Sequence, residues 1–328
     1  MRGVALLLAT ASGLVLRGKE PDSTAGDLQC LAQVPVAQAP LVPTKDMPRE
    51  VRRLHPGATE TSQLLEAVLL DVTGTTRHTA YLEHGQLKPF VLDRREAGID
   101  MCVGCWSMIG NARLRFLVTH LRQLDQCNVP GDILEAGVWK GGSGMVMQAV
   151  EMATKRNRAI HLCDSFEGLP MPTTQLDQAG WHHDKSFVAG VELVRTGFHH
   201  YFGDASMANI HYHKGFFLHS LPHLREKFSQ DRTQLALLRV DADMFESYVD
   251  TLYNLYDFVS IGGMVICDDC PGIDTAVLAV NEFRAHHGIV EPLFQTPGSP
   301  FGVSWRKMRA VKVDYNHYLQ WNATRTGR

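Results

Sequence analysis

From residue 131 onward the chain alternates short apolar runs with longer amphipathic segments, and this alternation restricts the fold more than any other feature of the sequence. The five runs are "DILEAGV" (132–138), "AIHLCDSF" (159–166), "IHYHKGFF" (210–217), "LALLRVDAD" (235–243) and "GGMVICDD" (262–269). Strand, helix and strand repeated in this way predict βαβ units and a doubly wound, mainly parallel α/β sheet covered on both faces. Two later β-type segments around a turn-rich "PGSP" predict a C-terminal antiparallel hairpin.

The rest of the chain divides by composition. Residues 1–20 join an early Arg to a short apolar run, which is typical of a signal-like or targeting segment rather than a stable membrane span; an apolar extension is the alternative. Residues 21–60 are rich in Pro and small polar residues and predict a linker or disordered arm. Residues 61–130 carry two helical patterns and should form an N-terminal helical cap. The main α/β domain would span 131–310, followed by a polar C-terminal tail over 311–328.

The overall charge restricts the partners. A net charge of −3, without a basic block, gives no case for nucleic acid, so small molecules or other proteins are expected. The sequence is compatible with a homo-oligomer. The signal-like segment favours secretory or organellar targeting, with a cytoplasmic location as the alternative.

Seven cysteines are present, and the odd number argues against a disulfide scaffold. Two CxxC pairs, at 102–105 and 267–270, superficially suggest a four-cysteine zinc site. Core packing is the favoured interpretation, because Cys267 falls in a predicted buried strand.

A glycine-rich turn follows the first predicted strand. The run "EAGVWKGGSG" (135–144) places glycines where a helix begins, so that backbone N–H groups can approach a ligand. It lacks the dinucleotide pattern GxGxxG, and packing alone is an alternative. The second strand ends at Asp164-Ser165, where a carboxylate can hold a ribose diol or cap a following helix. Turn and acidic strand end together favour a nucleoside-bearing ligand.

Two pairs of aspartates end the fourth and fifth predicted strands. Asp241 and Asp243 follow the fourth strand, and Asp268 and Asp269 follow the fifth. These strands are neighbours in a doubly wound sheet, so the four carboxylates should converge on one crevice. Their repulsion calls for a cation, and an all-oxygen set suits Mg²⁺, Ca²⁺ or Mn²⁺ rather than zinc. Helix caps are the alternative, but they explain only one aspartate at each strand end.

Several blocks in order resemble the macrocin-type O-methyltransferases. They are "VPGDILEAGVWKGGSG", "DSFEGLP", "HKGFFLHSLP", "LALLRVDADMFESY" and "GGMVICDDC…AVNEFRAHHGI". The resemblance covers roughly residues 100–307. It implies a class I (Rossmann-like) methyltransferase that uses S-adenosyl-L-methionine and Mg²⁺, or another hard divalent cation. The implied acceptor is a hydroxyl of a sugar or glycosylated small molecule.

The resemblance also implies roles for individual residues. Asp241, Asp268 and Asp269 would be metal ligands, and Asp243 would be the general base. Such a metal lowers the pKa of a hydroxyl, and a nearby carboxylate takes its proton. The implied cofactor-binding residues are Ser107, Met108, Glu135, Gly137, Lys140, Gly141, Gly142, Ser143, Asp164 and Ser165.

Four departures from the family pattern bear on acceptor fit. The family usually has Arg at Lys140, Gly at Ala242, a small hydroxyl residue at Tyr248 and Tyr at Cys270. A long polar insertion over 170–209 is typical of a lid, and its histidines are expected at the surface.

Three other activities fit parts of the same pattern. The D-x-D arrangement of Asp241 and Asp243 also fits a metal-dependent glycosyltransferase, which leaves the glycine-rich turn and the second aspartate pair unexplained. A nicotinamide dehydrogenase would need the missing phosphate fingerprint. A non-catalytic descendant that binds cofactor would keep the same residues.

Overall fold

A computed structural model of the chain describes residues 49–57, 60–177, 181–203 and 207–327. The signal-like segment and most of the expected linker lie outside these ranges. A short helix, α1 (Arg49–Leu54), begins inside the stretch expected to be a linker, because Val51 is fully buried in the core. Within the described ranges, no helix has the length and apolar character needed to cross a membrane.

A seven-stranded mixed sheet forms the centre of the chain, and its order is β6-β5-β4-β7-β8-β10-β9. Five strands are parallel, and the last two run antiparallel to them as the predicted hairpin. The strands are β4 (Asp132–Ala136), β5 (Ile160–Asp164), β6 (Ile210–Lys214), β7 (Leu235–Val240), β8 (Val259–Cys267), β9 (Phe294–Gln295) and β10 (Val303–Arg306). The doubly wound α/β prediction is therefore confirmed, with all five apolar runs as parallel strands.

Helices cover both faces of this sheet. They are α2 (Thr61–Val72), α3 (Leu92–Ala97), α4 (Gly110–Gln126), α5 (Gly142–Thr154), α6 (Val191–Phe202), α7 (Phe217–Asp231), α8 (Phe245–Leu255), α9 (Asp274–His286) and α10 (Tyr315–Thr326). Neighbouring strand residues point to opposite faces, so Ile133 packs into the core under α2, α4, α5 and α6, whereas Leu134 packs under α7, α8 and α9. Because both faces are covered, every residue of β7 is buried, which explains why its residues are apolar with the single exception of Arg239.

The N-terminal region adds a small sheet to its helices. The strands β1 (Tyr81–Glu83), β2 (Gln86–Lys88) and β3 (Met101–Cys102) pair antiparallel in the order β2-β1-β3. The two predicted helices of this region are present as α2 and α4. The tail expected over 311–328 instead contains α10, which the burial of Tyr318 holds against the core.

Two expectations need correction. The insertion over 170–209 is not a lid throughout, because α6 buries Val194, Phe198 and Tyr201 in the core. The cysteines of both CxxC pairs are joined as disulfides, Cys102–Cys105 and Cys267–Cys270. Their Cα atoms lie 5.8 and 5.6 Å apart, within the range that a disulfide spans, so these pairs do not build a zinc site.

Candidate active site

The carboxyl ends of β4, β5, β7 and β8 open into one cavity of about 610 Å³. The order of the strands reverses beside β4, and ligands of doubly wound sheets bind at such a point. Residues 98–101, 106–109 and 300–301 line this cavity, as do residues 168–170 and Phe187. The size suits a small-molecule site.

The glycine-rich turn at the end of β4 lines this cavity. Gly137 has φ +90, and a Cβ there would overlap the carbonyl oxygen of Asp241, so the turn can follow this path only with glycine. Gly142 begins α5 directly against Trp106, whose carbonyl oxygen accepts a 3.0 Å hydrogen bond from the Gly142 N–H. The backbone at Trp106 is therefore held against the turn.

Asp164 ties the turn to the end of β5. Its carboxylate accepts hydrogen bonds from the backbone N–H groups of Val138 (2.7 Å), Trp139 (3.1 Å) and Phe166 (2.7 Å). No helix follows Asp164 directly, so the helix-cap alternative is wrong. The carboxylate lines the cavity, but most of its accepting capacity shapes the turn itself.

Most of the sequence-predicted residues line the cavity together. They are Ser107, Met108, Gly137, Gly142, Ser143, Asp164, Ser165, Asp241, Asp243, Asp268 and Asp269. Glu135, Lys140 and Gly141 lie behind the wall. Glu135 is fully buried and bound to Ser143 and Arg239, while the Lys140 ammonium lies 4.2 Å from the centre of the Trp139 ring. Direct contact of these three with a cofactor stays a prediction.

Three of the four aspartates form a compact oxygen cluster. One carboxylate oxygen from each of Asp241, Asp268 and Asp269 lies within 4.8 Å of the others. Burial, followed by repulsion from Asp268, raises the pKa of Asp241 well above its usual range, and the pKa of Asp269 is raised for the same reasons. The repulsion follows from the closeness of these carboxylates at this end of the sheet.

Two arginines offset part of this charge. The Arg239 guanidinium is buried and contacts Glu135 (2.6 Å), Asp241 (3.0 Å) and Asp268 (2.5 Å). Arg113, on α4, forms an ion pair with Asp268. Burial still raises the pKa of Glu135 to about 7, although Arg239 opposes the shift.

Asp269 is fixed on one side only. Its Oδ2 accepts hydrogen bonds from the N–H groups of Ala242 (3.1 Å) and Asp243 (2.9 Å). The buried Tyr248 hydroxyl lies 2.9 Å from the same oxygen. Asp269 Oδ1 therefore remains available on the cavity side.

The Asp243 carboxylate differs from its neighbours. Among the residues that the structure describes, no hydrogen-bond donor or basic group contacts it, although it lines the cavity. Burial and the charges of Asp269 and Asp268 raise its pKa well above the usual range. Its backbone has φ 57, a left-handed conformation that Asp tolerates better than most residues. Such strain is often found where a side chain must point at a ligand.

Sequence reasoning missed Arg113 and Arg239. Arg239 had a signal, since it is a single charge inside the apolar run "LALLRV". Arg113 had none, because an arginine is ordinary in an amphipathic helix and its partner, Asp268, lies 155 residues away. The same is true of the aromatic wall residues Phe216, Phe217 and Phe301.

Comparison with known proteins agrees with this geometry. The family model described as "Macrocin-O-methyltransferase (TylF)" matches residues 52–307. Demethyldecarbamoylnovobiocin O-methyltransferase from Streptomyces niveus is 32% identical over 66% of this chain and 80% of its own length. A tetracenomycin-C rhamnosyl 4'-O-methyltransferase from Streptomyces olivaceus is 34% identical over 66% of this chain and 82% of its own. The solved structure of the O-methyltransferase NovP superposes with a TM-score of 0.68, at 31% identity, and covers 76% of this chain and 100% of NovP.

Proposed function

The chain belongs to the macrocin-O-methyltransferase (TylF) family and is an O-methyltransferase, and from this premise we propose its cofactors, acceptor and residue roles. The proposed reaction moves a methyl group from S-adenosylmethionine to a hydroxyl of a sugar on a small molecule, with the help of a divalent cation. Family membership decides against the glycosyltransferase and dehydrogenase alternatives.

One observation carries the proposal. Among the residues that the structure describes, no donor contacts the Asp243 carboxylate, which lies on the cavity that the glycine-rich turn also lines. A hydroxyl loses its proton as it accepts a methyl group, so a proton acceptor must stand beside it. We assign this role to Asp243.

The cofactor side fits S-adenosylmethionine. When bound, this cofactor would offer a sulfonium methyl group to in-line attack by a hydroxyl oxygen, with S-adenosylhomocysteine as the leaving group. The turn at Gly137 presents bare backbone toward the cavity, and Asp164 and Ser165 stand at the end of the neighbouring strand, where ribose hydroxyls bind in folds of this kind. Ser107 and Met108 cover the turn. Holding both reactants in one cavity provides the proximity that the reaction needs.

The donor set fits a hard divalent cation. Asp241, Asp268 and Asp269 offer three converging oxygens, and the arginines around them leave an excess of negative charge. All-carboxylate sites of this kind suit Mg²⁺. The cation would lower the pKa of an acceptor hydroxyl. Tyr248 and the two backbone N–H groups orient Asp269 for this task.

The acceptor class comes from the relatives. Their names identify acceptors that include a rhamnosyl group of tetracenomycin C and demethyldecarbamoylnovobiocin. In this chain Phe216, Phe217 and Phe301 line the cavity, and apolar ring faces can pack against the C–H groups of a sugar. We therefore propose a sugar hydroxyl on a glycosylated small molecule.

A methyl-transfer assay tests the proposal. The chain is mixed with methyl-labelled S-adenosylmethionine and demethyldecarbamoylnovobiocin, in EDTA and then with excess Mg²⁺. The expected result is label in the product only with Mg²⁺. Calorimetry with S-adenosylhomocysteine, NAD and a nucleotide sugar provides the matched binding test, and only the first should bind. Methyl transfer that is indifferent to EDTA would refute the metal role, and absence of S-adenosylhomocysteine binding would refute the cofactor.

A further inference from the structure

The helix α10 lies beyond the region that the family model matches, and it carries a buried arginine. The matched region ends at residue 307, and α10 begins at Tyr315. Near its end, the side chain of Arg325 is only 3% exposed and contacts Glu246 Oε2 (3.3 Å) and Asp250 Oδ1 (2.5 Å) on α8. A buried arginine so close to the end of the described chain calls for an explanation.

Glu246 contacts not only Arg325 but also the loop at residues 173–174. Its Oε1 accepts hydrogen bonds from the N–H groups of Thr173 (2.7 Å) and Thr174, and its Oε2 accepts one from the Thr173 hydroxyl (2.6 Å). Further along the same loop, Asp177 accepts hydrogen bonds from the N–H groups of Phe245 (2.7 Å) and Glu246 (2.9 Å) at the start of α8. Residues 173–177 are thus fastened to α8 at two points.

The charges in this cluster are unbalanced without Arg325. Asp177, Glu246 and Asp250 are all buried, and Arg325 is the basic side chain that forms ion pairs with two of them among the described residues. Buried carboxylates repel one another unless a cation lies between them. Loss of Arg325 would therefore favour outward movement of Glu246, and the 173–174 backbone that it holds would move with it.

The fastened segment stands beside the acceptor side of the cavity. Its preceding residues Leu169 and Pro170 line the main cavity. Asp177 lines a second cavity of about 300 Å³, together with Met244 and Ile273, and Ile273 also faces the main cavity. Met244 directly follows the proposed base, Asp243. The cofactor turn at Gly137 is on a different strand end and takes no part in this cluster.

We propose that Arg325 is a positioning residue for the acceptor: through Glu246 it fixes residues 173–177 as a wall between the two cavities beside Asp243. This inference rests on the proposed function, because only the assignment of Asp243 as the base identifies this side of the cavity as the acceptor side. The second cavity would then take the part of the acceptor beyond the methylated sugar.

Hydrogen exchange in the full chain tests the clamp without any acceptor. Arg325→Met removes the charge and keeps much of the length, Arg325→Lys restores a charge, and Gln320→Ala alters the exposed face of the same helix as the control. In Arg325→Met, amides over 170–177 should exchange roughly tenfold or more faster, while amides of β4 stay unchanged. Arg325→Lys should recover part of the protection, and Gln320→Ala should match the wild type. Equal exchange at 170–177 in wild type and Arg325→Met would overturn the proposal, and so would a uniform increase across the chain.

Kinetics then connect the clamp to the acceptor. With demethyldecarbamoylnovobiocin as the probe, the KM of Arg325→Met should rise roughly 10–10²-fold, while affinity for S-adenosylhomocysteine stays within about twofold. Glu246→Gln should raise KM similarly, and the double variant should be no worse than the more affected single one, because both act through one contact. A parallel loss of S-adenosylhomocysteine affinity would overturn the positioning role. If the wild type does not methylate this probe, the proposed acceptor fails, and the exchange experiment still decides the clamp.

Discussion

Replacement of Asp243 by Asn separates catalysis from folding. The change removes the carboxylate that we assign as the proton acceptor and keeps the size of the side chain. Asn tolerates the left-handed backbone found at this position about as well as Asp does, so φ 57 adds no new strain. No hydrogen bond is lost either, because no donor in the described ranges contacts this carboxylate.

The expected magnitudes follow from these facts. Loss of a general base lowers the rate by roughly 10²–10⁴-fold, which corresponds to about 2.7–5.4 kcal/mol in the activation barrier. Stability should move in the opposite direction, since the charges of Asp268 and Asp269 no longer face a third carboxylate. In EDTA we expect the free energy of unfolding to rise by roughly 0.5–2 kcal/mol, the usual gain from one relieved unfavourable contact.

Two measurements on one preparation check this prediction. Turnover of labelled S-adenosylmethionine gives the rate, and urea denaturation gives the unfolding free energy. Asp231→Asn serves as the control, because Asp231 lies on the surface and, within the described ranges, forms an ion pair with Lys227 alone; both readouts should stay at the wild-type level. An Asp243→Asn enzyme within about threefold of the wild-type rate would refute the assignment, and a marked loss of stability would refute the description of the carboxylate as unpartnered.

Three further predictions concern two residues of the site, Arg239 and Gly137, and one buried residue outside it, His120. Arg239→Met should lower the free energy of unfolding by about 3–5 kcal/mol, because it leaves three carboxylates without their buried partner; an unchanged urea midpoint would contradict this. Gly137→Ala should abolish S-adenosylhomocysteine binding in calorimetry, since the added Cβ overlaps the Asp241 carbonyl oxygen, and wild-type affinity would show that the turn is not at the site. Burial lowers the pKa of His120 to about 3 from 6.5, so its contribution to stability is complete above pH 6.5 and falls below it. Between pH 7 and pH 5 the wild type should lose about 2 kcal/mol more than His120→Gln, and equal losses would contradict the burial argument.

The sequence alone was sufficient to predict the succession of strands and helices along the main domain. The five parallel strands are recognisable because burial on both faces favours nearly continuous apolar runs, as in β7, where every residue is buried and only Arg239 is charged. The convergence of Asp241, Asp243, Asp268 and Asp269 was also predictable, since parallel strands bring their carboxyl ends to one edge. The glycine-rich turn was also predictable, but the sequence indicated approach to a ligand, whereas the structure shows that Gly137 is required by the nearby carbonyl oxygen of Asp241.

Contacts between distant residues were beyond the reach of the sequence. Arg113 meets Asp268, and Arg325 meets Glu246, across 155 and 79 residues respectively. Local patterns indicate which face of a helix or strand is buried, but they do not indicate which distant residue will form an ion pair with a charged side chain on that face. The polar composition of residues 311–328 predicted a tail in solvent, and it gave no sign of the helix α10. It also gave no sign that Arg325 forms ion pairs inside the protein.

The cluster of carboxylates around Asp243 depends partly on the sequence pattern and partly on tertiary packing. Strand periodicity and topology determine that carboxylates gather at the sheet edge. Only the packing of α4 and α8 against the sheet decides which of them contact arginine, which is held by Tyr248, and which is left without a donor among the described residues. The reason is that pairing of buried charges depends on distances of a few ångströms between elements that are separate in the chain, and such distances are set by the completed core.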